Sequence, residues 1–168
     1  MPPHLLVTQL RFARSEWQRG LEGVTEAEAV KRVGVMNCLS WMVGHLANQE
    51  SGYWVLLAQG KTLVPGLNDL VGHGKPASTP PLADMWAAWH TITQAADIYL
   101  ETLTPELLQT HFMWKGQPRL ESVGTMLLRN IYHYWYHIGE ASAVRQALGH
   151  TGLPDFVGNM SEAVYRPE

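Results

Sequence analysis

Apolar residues recur three, four or seven positions apart over four stretches of the chain, the spacing that gathers them on one face of an α-helix. The first stretch, about 4–21, carries Leu6, Leu10, Ala13, Trp17 and Leu21 and runs out near Gly20 and Gly23. The second, about 37–59, carries Leu39, Val43, Leu46, Tyr53, Trp54 and Leu57, with Gly60 placed to cap it. The third, about 81–103, is the most regular: Leu82, Trp86, Trp89, Ile92 or Thr93, Ala96, Leu100 and Leu103. Pro81 suits its first turn and Pro105 follows its end. The fourth, about 121–148, lies between Ser122 and Gly149, with Val123, Leu127, Ile131, Tyr134, Ile138, Ala141 and Leu148 as its stripe. The tetrapeptide "TEAE", Thr25–Glu28, has the form of a capping box and predicts a short extra helix.

Four amphipathic helices need a shared core, and a four-helix bundle within one domain over residues 1–168 is the simplest solution. The connectors constrain its order. Residues 60–80, "GKTLVPGLNDLVGHGKPASTP", are rich in Gly and Pro and show no strand alternation. Extended, they reach about 65 Å, against about 30 Å for a 20-residue helix. The connector can therefore cross the whole bundle and leave the second and third helices parallel. Residues 104–120 form a second long connector, and the tail after Gly149 reads as irregular.

Composition narrows the function classes. The net charge is −3, and no run of five Lys or Arg occurs, which argues against nucleic acid as a partner. Charged residues make up 16% of the chain, below an average of about 25%. With seven Trp, so thinly charged a surface predicts self-association, most simply as a homodimer. The single cysteine, Cys38, permits no internal disulfide. The N-terminal "MPPHLLVTQLRFARSEW" lacks the apolar core of about 7–15 residues that a secretory leader needs. No run approaches the roughly 18 apolar residues of a membrane span. A cytoplasmic protein is expected.

The hexapeptide "HYWYHI", His133–Ile138, carries the candidate chemistry. His133 and His137 are four apart on a predicted helix, so both rings lie on one face, within reach of a single metal ion. They extend a stripe containing Met126, Asn130, Ala141 and Val144, which turns them inward or toward a cleft. The plain alternative is two partly exposed histidines on a wide helix, and the spacing alone does not choose. Tyr134 stands where a zinc protease places its catalytic Glu, so that class fails. His45, in "SWMVGHLANQE", is the best third ligand; it shares a stripe with Trp41, Met42 and Gln49. Three histidines from two facing helices would leave coordination positions open, the pattern of a catalytic metal site. Without a third ligand, His45 reads as a hydrogen-bonded residue at the core edge. His90 reads as half-buried; His73, in the Gly-rich connector, reads as simply exposed, with a place at a pocket mouth as the alternative; His4, His111 and His150 carry no signal.

"SWMVGHLANQE" and "HYWYHIGEA" resemble the second-helix and fourth-helix motifs of the DinB-like (damage-inducible, YfiT-type) metalloenzymes, the latter matching their HxxxHxGQ pattern. The tail "LPDFVG" is similar to their C-terminal region, so the resemblance spans nearly the whole chain. It implies an up-down-down-up four-helix bundle, often dimeric, with metal ligands at His45, His133 and His137. It also implies a divalent transition metal. Some members use it to activate the thiol of a small cofactor such as bacillithiol or mycothiol, in transferase or isomerase reactions. The family's usual Gln is replaced by Glu140, three residues after His137, where it can accept a hydrogen bond from the ligand ring or add a carboxylate near the metal. Glu50 and Asn130, about one turn from a ligand, are the other candidates to support the ligands, and their plainer reading is as polar residues of the bundle surface or between helices.

The leading expectation is a Zn²⁺- or Ni²⁺-dependent thiol transferase acting on a small molecule. Trp41, Trp86, Tyr134 and Trp135 are candidate pocket walls, with Arg129 and Arg145 as guesses for cofactor recognition. Two rivals stand beside it. One is a metal-dependent hydrolase with Glu140 as general base. The other is a metal-binding stress or interaction module without turnover, using its Trp-rich faces to dock partners.

Overall fold

Each predicted apolar stripe folds as a helix, and the first, third and fourth of these helices start where a polar side chain (His4, Glu26 and Ser122) accepts from their first free N–H groups. The computed structural model describes residues 3–155 and 157–165. Phe156 of "LPDFVG", Met1 and Pro2 of the N-terminal stretch, and residues 166–168 of the tail lie outside them. The described residues are mostly helical. In order they form α1 (Leu5–Gly20), α2 (Glu26–Ala29), α3 (Leu39–Glu50), α4 (Leu67–Val71), α5 (Leu82–Leu100), α6 (Pro105–Leu108), a hairpin of β1 (Met113–Trp114) and β2 (Gln117–Pro118), and α7 (Val123–Ala147). The "TEAE" box closes in both directions: Glu28 N–H donates to the Thr25 hydroxyl at 3.3 Å and Thr25 N–H to the Glu28 carboxylate at 2.9 Å. The Ser122 hydroxyl accepts from Thr125 N–H at 3.2 Å to start α7.

Helix α3 runs without a break into a π-helical segment, Ser51–Leu57. Gly60 then takes φ +67°, and its N–H donates to the Leu56 carbonyl at 2.8 Å, which ends the element. The two long connectors are less bare than their composition suggests. The first contains α4, whose Leu67 and Val71 are buried against the core. The second contains α6 and the antiparallel hairpin, in which Met113 faces Pro118 and Trp114 faces Gln117. The described residues past Gly149 are irregular apart from one 3₁₀ turn, Met160–Glu162.

The core lies between the long helices. Val7, Leu10, Trp17, Leu39, Met42, Leu46, Trp54, Ile92, Leu100, Leu127 and Tyr134 are buried completely or nearly so, each side chain of Leu size or larger contributing on the order of 1.5–3 kcal/mol. Inside this apolar body sits a charged cluster. Arg14 of α1 forks onto the Glu50 carboxylate of α3 and reaches Asp97 of α5 at 2.7 Å. Tyr134 of α7 donates its hydroxyl to Glu50 at 2.6 Å and accepts from the Trp89 indole at 2.8 Å. Burial, and then the Glu50 charge, push the Tyr134 phenol well above its ordinary value. The cluster ties α1, α3, α5 and α7 to one another, because a buried charge needs partners from every side. Further contacts set each helix beside its neighbours: Arg11 meets Glu101 at 3.0 Å, Phe12 stacks obliquely on Trp135, and Arg145 donates to the Gly20 carbonyl.

Candidate metal centre

The histidine pair of α7 meets the histidine of α3. One ring nitrogen from each of His45, His133 and His137 lies within 4.8 Å of the others. The HxxxH spacing stacks His133 and His137 one turn apart, with ring centroids 4.6 Å from each other. His45 faces both, at 4.9 Å from His133 and 5.3 Å from His137. Trp41, one turn before His45 on α3, lies flat against it, with centroids 4.3 Å apart and planes 16° from parallel. His137 is buried, while His45 and His133 are partly open.

Each ring is held by its Nδ1. That of His45 lies 2.7 Å from the Val71 carbonyl at the end of α4. That of His133 lies 3.0 Å from Gln49 Oε1 on α3, and that of His137 lies 2.7 Å from a Glu140 carboxylate oxygen. A carbonyl, an amide oxygen and a carboxylate are acceptors, so the three Nδ1 atoms carry the protons. The three Nε2 atoms are left bare, and those of His133 and His137 are only 3.0 Å apart. Burial, and then the neighbouring rings of His137, His45 and His73, hold His133 down to about 3. Burial also holds His45 below the ordinary histidine value. Three imidazoles whose Nε2 atoms turn together are the donor set that a borderline divalent ion such as Zn²⁺ or Ni²⁺ takes. The residues fit the group.

The site opens into a cleft of about 910 Å³. His45 and Gln49 of α3, Met126, Arg129 and His133 of α7, and Trp114, Gln117 and Arg119 of the hairpin region all line it. Asn48, Gln49, Asn68 and Arg119 put hydrogen-bonding groups on its lining beside Tyr53 and Trp114, which suits a small polar molecule. Arg129 is clamped to Glu121 by two nitrogens. His73 is exposed, as its plainer reading had it, and also lines this cleft.

Several expectations are corrected. None of the four proposed aromatic walls is in the cleft lining, although Trp41 lies against His45 and His137. Trp86 packs on Trp89 and His90, Tyr134 turns to Glu50 and Trp89, and Trp135 meets Phe12. Arg145 is buried far from the cleft lining, held by the carbonyls of Gly20 and Glu22 and by His150. Glu50 bonds no histidine; its carboxylate belongs to Arg14 and Tyr134. Asn130 reaches His133 only through Gln49, donating to Gln49 Oε1 at 3.0 Å. His90 is exposed instead of half-buried. The Trp-rich faces are largely internal: Trp17, Trp41, Trp54 and Trp89 are buried, and Trp114 alone is classed as exposed. The sequence reading did not assign Gln49 a role, although it shares the His45 stripe. It also missed the Val71 carbonyl, a backbone group that no side-chain pattern reveals.

No helix among the described residues is long and apolar enough to cross a membrane. No curated protein matches the chain. The family model described as mycothiol-S-transferase matches residues 5–149, which include all four long helices and the three clustered histidines. The chain therefore belongs to the mycothiol-S-transferase family, a branch of the DinB/YfiT-like superfamily to which its histidine motifs are similar.

Proposed function

We propose that the protein is a metal-dependent thiol S-transferase acting on a small molecule, with His45, His133 and His137 as its metal ligands. The observation that carries this reading is the inward turn of three bare imidazole nitrogens whose opposite nitrogens all donate to oxygen. When bound, Zn²⁺ or Ni²⁺ supplies a Lewis acid that holds a thiol as its thiolate near neutral pH. The family name points to mycothiol as that thiol.

The chain's own residues do the rest. Val71, Gln49 and Glu140 take up the Nδ1 protons and so orient the three rings. Trp41 covers one face of His45 and keeps water from it. The cleft admits a polar molecule past Arg119 and Arg129, whose guanidinium groups can receive its oxygens. Glu140 is bonded to His137, so it serves orientation in this reading and does not abstract a proton from substrate.

The scaffold in this proposal is one four-helix-bundle domain over residues 1–168, in up-down-down-up order. The paired contacts support it. His45 with His137 and Trp54 with Asn130 set α3 against α7 head to tail, as Arg11 with Glu101 and Arg14 with Asp97 set α1 against α5. A cytoplasmic setting, where small thiols stay reduced, completes the reading. So does a homodimer, for which the exposed Tyr132 and Tyr136 of α7 offer surface.

The test is elemental analysis of tag-free protein beside the His45/His133/His137 triple alanine variant, followed by a thiol-consumption assay with an electrophilic small molecule. About one equivalent of zinc or nickel in the wild type, absent from the variant together with transfer activity, is expected. Equal metal content in the two proteins would overturn the ligand assignment.

A further inference from the structure

An amide side chain presents an oxygen at one end and an NH₂ at the other, so what Gln49 shows to His133 depends on the other partners of the amides. The deciding group is Trp54. Its indole N–H can only donate, it is fully buried, and it lies 2.7 Å from Asn130 Oδ1. Asn130 is fully buried too, and its remaining NH₂ donates to Gln49 Oε1 at 3.0 Å. The same oxygen lies 3.0 Å from His133 Nδ1. An amide oxygen carries no hydrogen, so the proton in that contact belongs to the imidazole. His133 is then the Nδ1–H tautomer, and its bare nitrogen is Nε2.

We infer that Trp54, Asn130 and Gln49 form a one-way hydrogen-bond relay that fixes the tautomer of His133, which makes them positioning residues for the metal centre. The inference rests on the reading of His133 as a ligand. His45 and His137 need no such device. Their Nδ1 protons go straight to a backbone carbonyl and a carboxylate, which accept in any orientation. Only His133 leans on an amide, the one acceptor that can turn around and become a donor. A turned Gln49 would present NH₂ to Nδ1, move the proton to Nε2 and remove the ligand.

The backbone is shaped for the relay. Gln49 lies at the end of α3, and Trp54 lies in the π-helical segment that follows. On an α-helix two residues five apart point roughly 140° away from each other. The i→i+5 pattern of a π segment swings them toward one line. Both therefore reach Asn130 on α7, while Glu50 between them turns to Arg14 on α1. The relay gives the irregular helix a purpose, because a straight α-helix would deliver one of the two side chains and not the other.

The test uses the full-length chain, first metal-free and then with zinc alone. Ring ¹⁵N shifts report the His133 tautomer, and competition with a chromophoric chelator reports zinc affinity. Gln49→Leu removes the acceptor, whereas Gln49→Glu keeps an oxygen in its place. We expect the Nδ1–H tautomer in the wild type and in Gln49→Glu, with zinc affinity alike within a few-fold. In Gln49→Leu we expect a tautomer mixture and zinc binding about 10–100-fold weaker. Trp54→Phe keeps the ring and loses only the donor, so it should also mix the tautomers. An Nε2–H His133 in metal-free wild type, or a Gln49→Leu protein with unchanged tautomer and affinity, would overturn the relay. Failure of the wild type to take up zinc would sink the metal reading instead. The tautomer comparison then decides the relay alone: mixing in Gln49→Leu upholds it, and no change overturns it.

Discussion

The Nε2 atoms of His133 and His137 lie 3.0 Å apart, and the Nδ1 of each ring faces an oxygen. Two bare lone pairs at that distance repel unless a cation lies beside them. A proton is a poor candidate, because burial and the adjoining rings hold His133 down to about 3. The arrangement is costly when metal-free and relieved by a metal, so binding should feed directly into stability.

The first prediction is a zinc-dependent melting temperature. A ligand that binds only the folded state, at about 100 times its Kd, adds about 2.7 kcal/mol. For a chain of this size each kcal/mol shifts Tm by about 2–4 °C. Differential scanning fluorimetry should therefore show a rise of roughly 5–11 °C in the wild type and little or none in His133→Ala. An equal rise in both proteins would move the zinc elsewhere.

Metal-free protein should lose stability on mild acidification. Unfolded, His133 takes up a proton near the ordinary histidine value of 6.5; folded, only near 3. Between those values the unfolded state binds more protons, so stability falls as pH is lowered through that window and is fully present above it. His45, also held down by burial, adds in the same direction. Urea midpoints at about pH 7 and about pH 5 read this out while most carboxylates stay ionised. The drop should shrink in a His45→Ala/His133→Ala variant. A drop of the same size in that variant would assign it to other groups.

The long helices were legible because burial on a helix leaves a period of three to four, and Leu10, Trp17, Leu46, Ile92 and Leu127 all obey it. The hairpin at 113–118 was not, since its strands of two residues are too short for alternation to register. The histidine trio was legible from spacing on two helices. Its surroundings were only partly so, for a geometric reason. Tyr134 and Trp135 adjoin His133 in sequence, but successive helical residues turn by about 100°, which sends them to other faces. The residues that share its face, Arg129, Asn130 and His137, are three or four away. Glu50 misled in the same manner: beside Gln49 in sequence, it lies about 100° further round the helix and turns to Arg14 and Tyr134 instead of the histidines.

Glu50 supplies the third prediction. Its carboxylate compensates the buried Arg14 and takes the Tyr134 hydroxyl. Removing one partner of a buried pair leaves an unpaired charge and costs about 3–5 kcal/mol. Glu50→Ala should lose about that much in urea denaturation, and Glu50→Gln less, since its amide oxygen still accepts. Both folded variants should bind zinc with wild-type stoichiometry. Loss of zinc from folded Glu50→Gln would return this residue to the metal centre.

Glu140 separates the transferase reading from a hydrolase. Its carboxylate oxygen lies 2.7 Å from His137 Nδ1, and the side chain is about one-fifth exposed. If its task is to orient that ring, an uncharged acceptor of the same length suffices. Glu140→Gln should then keep zinc affinity and thiol transfer within about tenfold of wild type, whereas Glu140→Ala, with no acceptor, should lose about 10–100-fold in zinc affinity. If Glu140 is a general base, the amide cannot take a proton, and Glu140→Gln should lose on the order of 10²–10⁴ in rate while its zinc affinity holds. Chelator competition and steady-state rates on the two variants distinguish these patterns. A rate that collapses in Glu140→Gln with zinc still bound would remove the assignment of Glu140 as an orienting group and favour hydrolysis.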